Sequence, residues 1–167
     1  MSRLVLIGAP GAGKSTVGKA LSEKLNREFL DTDALIQDST GKTITDIFVV
    51  DGEEAFRAIE LEVLADVLKS ENTVISLGGG APISEQAQKL ITDSQSLVIF
   101  LDVSLATAAP RVGFNRDRPL LLGNPRAQWQ ALSEKRRPIY EQLADVAIKV
   151  DELDVDAIVT AIVKEAK

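Results

Sequence analysis

The chain has no cysteine and no histidine. Without thiols there is no disulfide framework and no thiolate metal or redox centre. Without imidazole it lacks the commonest general base, the usual zinc ligand and every Ser-His or Cys-His nucleophile arrangement. Proton transfer must then fall to carboxylates, lysines or the single tyrosine, Tyr140. Positive charge is also in short supply: 19 Lys and Arg stand against 25 Asp and Glu, a net charge of −6. That balance argues against general nucleic-acid binding but is compatible with a local basic pocket. No apolar run approaches the ~20 residues of a membrane span. The N-terminus enters an expected strand almost at once, with no secretory pattern. A cytoplasmic location without a membrane or nucleic-acid partner is the expectation.

What is present is an alternation. In 167 residues, 45% of them hydrophobic, short Val/Leu/Ile-rich runs at 3–7, 28–31, 73–77, 96–101 and 145–150 read as strands. Helical periodicity occupies 14–25, about 33–39, 53–69, 84–92, 104–110, 126–143 and 154–166. Strands alternating with helices predict an α/β fold with a parallel sheet covered on both faces and ligands at the strand C-termini. No repeat, low-complexity tract or linker interrupts the pattern, so one domain over 1–167 is expected.

Residues 8–16 read Gly-Ala-Pro-Gly-Ala-Gly-Lys-Ser-Thr, matching G-x-x-x-x-G-K-[ST] between an expected strand and helix. The glycines allow a backbone wrap whose N–H groups, from Gly11, Ala12, Gly13, Lys14, Ser15 and Thr16, point at phosphate oxygens. Lys14 supplies charge to the terminal phosphates, the Ser15 hydroxyl can ligate Mg²⁺, and the helix dipole adds to both. The motif predicts ATP and Mg²⁺.

Other segments carry chemistry less decisively. The stretch 114–126 is polar, Pro/Gly-punctuated and holds Arg116, Arg118 and Arg126; it reads as a lid closing over phosphates, or as a plain surface connection. Gly78-Gly79-Gly80 at a strand end allows close approach of a ligand, or is a simple turn. Asp31-Thr32-Asp33 puts two carboxylates on the ligand edge if the chain stays extended, or begins a helix with a capping residue. Arg57 and Glu60, three apart on a helix, are a solvated ion pair or an oriented carboxylate-binding fork. Lys135-Arg136-Arg137-Pro138 is a solvated helix face, or delivers one arginine to the site, with Pro138 expected to kink the helix.

Together these stretches resemble the shikimate kinase family. The likeness runs through 8–16, Leu30-Asp31-Thr32-Asp33, Thr43-Ile44-Thr45-Asp46-Ile47-Phe48, and Asp51-Gly52-Glu53 with Phe56-Arg57 and Glu60. It continues through Ser76-Leu77-Gly78-Gly79-Gly80-Ala81, Arg118-Pro119-Leu120-Leu121 and Lys135-Arg136-Arg137-Pro138-Ile139-Tyr140. The resemblance implies a three-layer α/β/α P-loop kinase fold, related to nucleoside-monophosphate kinases. Its five parallel strands would run in order 2-3-1-4-5, with a substrate-binding helical segment at about 32–60 and a lid at about 112–125. It also implies a monomeric enzyme of aromatic amino-acid biosynthesis, on the route to chorismate, that phosphorylates the 3-hydroxyl of shikimate with ATP.

Residue roles follow from the same resemblance. Lys14 and Ser15 would hold the triphosphate and Mg²⁺, with Asp31 in the outer shell of the metal. Asp33 would bind the shikimate hydroxyls and act as candidate base. Arg57 and Arg136 would clamp the carboxylate, with Glu60 orienting Arg57 and Gly78, Gly79 and Gly80 lining the acceptor. Arg118 would reach the phosphates during transfer. Arg111 would lie near adenine, which Val150-Asp151 begins to flank. Pro110 before Arg111 and the bulky Phe114 depart from the family's pattern. Two rivals are another small-molecule kinase on the same scaffold, acting on gluconate or a nucleoside monophosphate, and a non-catalytic nucleotide-binding module.

Overall fold

Each of the five expected strands forms, in a computed structural model that describes residues 3–112 and 124–166. They are β1 (Arg3–Ile7), β2 (Glu28–Asp31), β3 (Thr73–Ser76), β4 (Leu97–Asp102) and β5 (Val146–Lys149). All pair in parallel, in the order β2-β3-β1-β4-β5. The helices are α1 (Lys14–Leu25), α2 (Thr32–Thr40), α3 (Ile44–Asp46), α4 (Glu53–Val67), α5 (Glu85–Asp93), α6 (Leu105–Val112), α7 (Pro125–Leu143) and α8 (Val155–Glu165), with a π-helical turn over Ile47–Asp51. No helix among the described residues is long and apolar enough to cross a membrane.

The period-2 geometry of a strand divides the core in two. Leu4 and Leu6 of β1 face one way with Val74, Ile99 and Leu101, packing on Val17 and Leu21 of α1 and Ile158 and Ile162 of α8. Val5 and Ile7 face the other way with Ile75, Val98 and Phe100, packing on Leu64 and Val67 of α4, Ile91 of α5 and Tyr140 of α7. Burial of each Val, Leu or Ile side chain contributes about 1.5–3 kcal/mol, so continuous apolar strands with helices on both faces are the stable arrangement. A third cluster, Ile36, Ile47 and Phe56, lies beneath α2, the π-helical turn and α4 and gives that segment its own support.

The structure adds to the expectations in three places. Periodicity placed no α3 and no π-helical turn between 40 and 52, within the helical segment of about 32–60 that the resemblance implied. The turn closes with Gly52 N–H donating to Ile47 C=O at 3.0 Å, and it buries Ile47 while leaving Val49 and Val50 exposed. The chain does not stay extended through Asp33. The Asp31 carboxylate accepts hydrogen bonds from the Asp33 and Ala34 N–H groups, at 3.0 and 3.3 Å, so α2 starts at Thr32. Pro110 and Pro138 both lie within helices that continue past them. The expected lid falls almost entirely on 113–123; Arg116, Arg118 and Phe114 therefore lie outside the described residues.

Candidate active site

The phosphate-binding loop leaves β1, the central strand, and runs directly into α1. Gly13, the N-cap of α1, has φ +89°, a left-handed conformation that favours glycine. Among the described residues no side chain caps this helix, whereas side chains of Asp31, Ser84, Asn124 and Asp154 cap α2, α5, α7 and α8. The N–H groups of the first turn of α1 are thus left for a ligand, at the positive end of the helix dipole. A cavity of about 680 Å³ opens over them, lined by 10–17, Asp31, Asp33, Gly78, Gly79 and Arg111. Leu153, Asp154, Val155 and Ile158 also line it, following Val150-Asp151, where the segment expected to flank a base begins.

Lys14 is buried in the loop, with Nζ donating to the Gly8 and Ala9 carbonyls at 2.7 and 3.1 Å. Burial strips water from the ammonium and lowers its pKa to about 8, against the opposing charges of Asp33 and Asp31; Arg136 pushes in the same direction as burial. The Ser15 hydroxyl donates to the second oxygen of Asp31 at 2.5 Å. Asp31 therefore has two tasks: one oxygen caps α2 and the other meets the loop. Arg111 donates to the Gly11 carbonyl at 3.1 Å, which brings α6 against the loop despite Pro110. From the opposite side, Trp129 Nε1 donates to the Pro10 carbonyl at 2.9 Å.

A second cavity, of about 410 Å³, adjoins the first and shares Pro10, Asp33, Gly78 and Gly79 with it. Its walls include Ile44, Phe48 and Phe56, then Arg57, Glu60, Gly80 and Arg136. The parallel register explains part of this assembly. Asp31 pairs with Ser76, so β2 and β3 end level and deliver Asp33 and the glycine run side by side. Their contact is tight: a Cβ on Gly78 would lie 2.6 Å from Asp33 Oδ1, and one on Gly80 would lie 2.5 Å from Arg57 Nη1.

Arg57 is oriented by its own helix. Nη1 donates to Glu60 Oε1 at 2.7 Å, Nη2 to Glu53 at 3.5 Å, and the guanidinium carbon lies 5.2 Å from the Phe56 ring centroid. Burial raises the Glu60 pKa, and the Arg57 charge and hydrogen bond oppose that rise. The basic cluster of α7 divides according to helical phase. Arg136 enters the cavity. Arg137 forms a bidentate ion pair with Asp102 and lies over the Phe100 ring. Lys135 turns to a neighbouring cleft.

The structure brings Lys14, Ser15, Asp31, Asp33, Arg57, Glu60, the glycine run, Arg111 and Arg136 to one edge of the sheet; Arg118 lies outside the described residues. It also adds residues that the sequence reading passed over. Thr32, between the two aspartates, is fully buried and its Oγ1 accepts the Gly78 N–H at 3.0 Å. The Gly78 N–H is thus committed within the protein. A buried hydroxyl needs a partner, but the sequence alone could not name a glycine 46 positions away. Trp129 was missed for the same reason, whereas Glu53 sits one helical turn before Arg57 and its i,i+4 spacing could have pointed to it.

Hard oxygens at Ser15 and Asp31, with no cluster of three candidate metal-ligating side chains among the described residues, suit Mg²⁺. That ion takes most of its octahedral shell from phosphate and water.

The shikimate kinase family model matches residues 10–167. The shikimate kinase of Thermobifida fusca is 51% identical over 161 residues, 96% of this chain and 92% of that protein. The Rhodococcus jostii shikimate kinase is 43% identical, covering 89% and 88%. The structure of an Acinetobacter baumannii shikimate kinase in complex with shikimate superposes with a TM-score of 0.94 at 32% identity, covering 99% and 93%. A deoxyadenosine kinase from M. mycoides, at 22% identity and TM-score 0.65, shares the P-loop kinase fold. The chain belongs to the shikimate kinase family.

Proposed function

We propose that this enzyme transfers the γ-phosphoryl group of ATP to the 3-hydroxyl of shikimate, giving shikimate 3-phosphate and ADP. The observation that carries the reading is the junction of the two cavities at Asp33: a phosphate-binding loop on one side, two arginines and a glycine run on the other. Phosphoryl transfer asks little covalent chemistry of the protein; it needs in-line positioning and charge neutralisation. The N–H groups of 11–16 and the Lys14 ammonium hold the triphosphate, Lys14 exchanging its carbonyl partners for phosphate oxygens. Arg57 and Arg136 grip the acceptor carboxylate, Glu60 keeping the Arg57 fork in one rotamer. Asp33 accepts the hydrogen bond of the attacked hydroxyl and takes its proton as the new O–P bond forms. Ser15 and Asp31 would hold Mg²⁺ with the nucleotide phosphates, where it supplies charge neutralisation. Arg118, by its RPLL motif, adds a guanidinium to the transferred group. A monomer acting without a protein partner completes the reading.

The test is ADP release with ATP and Mg²⁺ and, in turn, shikimate, gluconate, a panel of nucleoside monophosphates, or no acceptor. Shikimate-dependent turnover is expected. Turnover with gluconate or a monophosphate instead, or none with any acceptor, would replace this reading with one of its rivals, and turnover independent of any acceptor would overturn it.

A further inference from the structure

The glycine run is built from peptides that have little intrinsic preference for one orientation, because flanking glycines let a peptide plane rotate at small cost. Each plane is nevertheless held. Thr32 Oγ1 accepts the Gly78 N–H at 3.0 Å, the Gly78 carbonyl accepts the Ala81 N–H at 3.0 Å, and the Gly80 carbonyl accepts the Ile83 N–H at 3.3 Å. The remaining plane, between Gly79 and Gly80, is held by a side chain from α7: the Tyr140 hydroxyl donates to the Gly79 carbonyl at 2.6 Å. In a trans peptide the C=O and the following N–H point in opposite directions. Tyr140 therefore aims the Gly80 N–H away from itself, and a Cβ on Gly80 would lie 2.5 Å from Arg57 Nη1.

The other arginine lies close to the same place. Arg136 Nη1 would lie 3.3 Å from a Cβ on Gly79, and Arg136 and Tyr140 line one small cleft together. Tyr140 is 1% exposed and its ring lies 5.2 Å from that of Phe100, so the hydroxyl has little freedom to leave this position. Burial raises the phenol pKa, with Arg136 opposing the rise, so the group stays a proton donor at neutral pH.

We propose that Tyr140 is a positioning residue for the acceptor carboxylate: its hydroxyl orients the Gly79–Gly80 peptide next to Arg136, fixing the backbone half of the clamp against the guanidinium half. The inference rests on shikimate being the acceptor. Tyr140 touches no reacting atom, so its effect falls on acceptor binding rather than on phosphoryl transfer.

The Y140F variant keeps the ring and removes the hydroxyl. Its KM for shikimate should rise about tenfold, with kcat and the KM for ATP within twofold of wild type. With shikimic acid amide, which lacks the carboxylate, Y140F and wild type should differ less than twofold. A KM for shikimate that is unchanged, or a rise that is equal for the amide or for ATP, overturns the proposal. Tyr140 is the single tyrosine of the chain, so uniform 3-fluorotyrosine labelling places one ¹⁹F probe there without perturbing the fold. Shikimate should shift that resonance and the amide should shift it far less; no shift at saturating shikimate overturns the proposal independently. A wild-type enzyme inert toward shikimate would instead remove the underlying functional reading.

Discussion

The two halves of the site are built in different ways. The donor half is nine consecutive residues, 8–16, in which backbone N–H groups and one lysine face one cavity. The acceptor half comes from four separated places: Asp33 on α2, Arg57 and Glu60 on α4, the glycine run after β3, and Arg136 on α7. A continuous loop needs only its own dihedral angles and the strand and helix that flank it. A scattered set needs every intervening crossover to deliver its residue at the right height and helical phase. The donor half should therefore fail all at once when the Lys14 charge is lost, and the acceptor half should fail in parts.

Lys14→Met tests the donor half most severely. With the ammonium gone, kcat should fall about 10³-fold, while shikimate binding, measured by calorimetry without nucleotide, stays within threefold. Loss of shikimate binding of the same order would show the halves to be one unit. On the acceptor side, Glu60→Gln takes the negative charge from the 2.7 Å bond that orients Arg57. A smaller penalty is expected, about a twentyfold rise in the KM for shikimate, with the KM for ATP unaffected; steady-state kinetics in both substrates decide it.

A pH series gives an effect of intermediate-to-small size and separates the halves without mutation. The Lys14 pKa in the nucleotide-free protein is lowered to about 8. Bound phosphates favour the charged amine, so above that pH binding must take up a proton and affinity falls as pH rises. The dissociation constant for ATP should weaken about tenfold between pH 7 and 9, while that for shikimate stays within twofold. A flat ATP profile would mean that Lys14 is ionised throughout. Lys89→Ala provides the lower bound, since Lys89 and Asp93 form an exposed pair on α5, worth at most about 0.5 kcal/mol. Thermal unfolding should barely move and both KM values should be unchanged.

Much of this protein is legible in its sequence. The order and type of the strands, the α/β class, the loop at 8–16 and the candidacy of Asp33, Arg57, Glu60 and Arg136 all follow from periodicity, motif or family resemblance. What stayed hidden lies where local patterns are ambiguous. The π-helical turn has no periodic signature of its own; it exists because Ile47 joins Ile36 and Phe56 in a small core. Asp31 could be read as a cap or as a ligand residue, and it serves the first role with one oxygen while the other meets Ser15. Periodicity leaves open which of Lys135, Arg136 and Arg137 turns inward, and only the resemblance names Arg136; the packing of α7 against β4 sets the helical phase, with Arg137 on Asp102 and Tyr140 on Phe100.

By itself, then, the sequence determined the sheet, the helices and the phosphate-binding loop, because these depend on hydrophobic period, turn residues and backbone conformation within a few positions. Only the tertiary structure decided how the acceptor side is held: Thr32 on Gly78, Tyr140 on Gly79, Gly80 against Arg57. Each long-range partner in that set joins residues that are distant along the chain, and a buried polar group takes whichever partner the packed layers bring within reach.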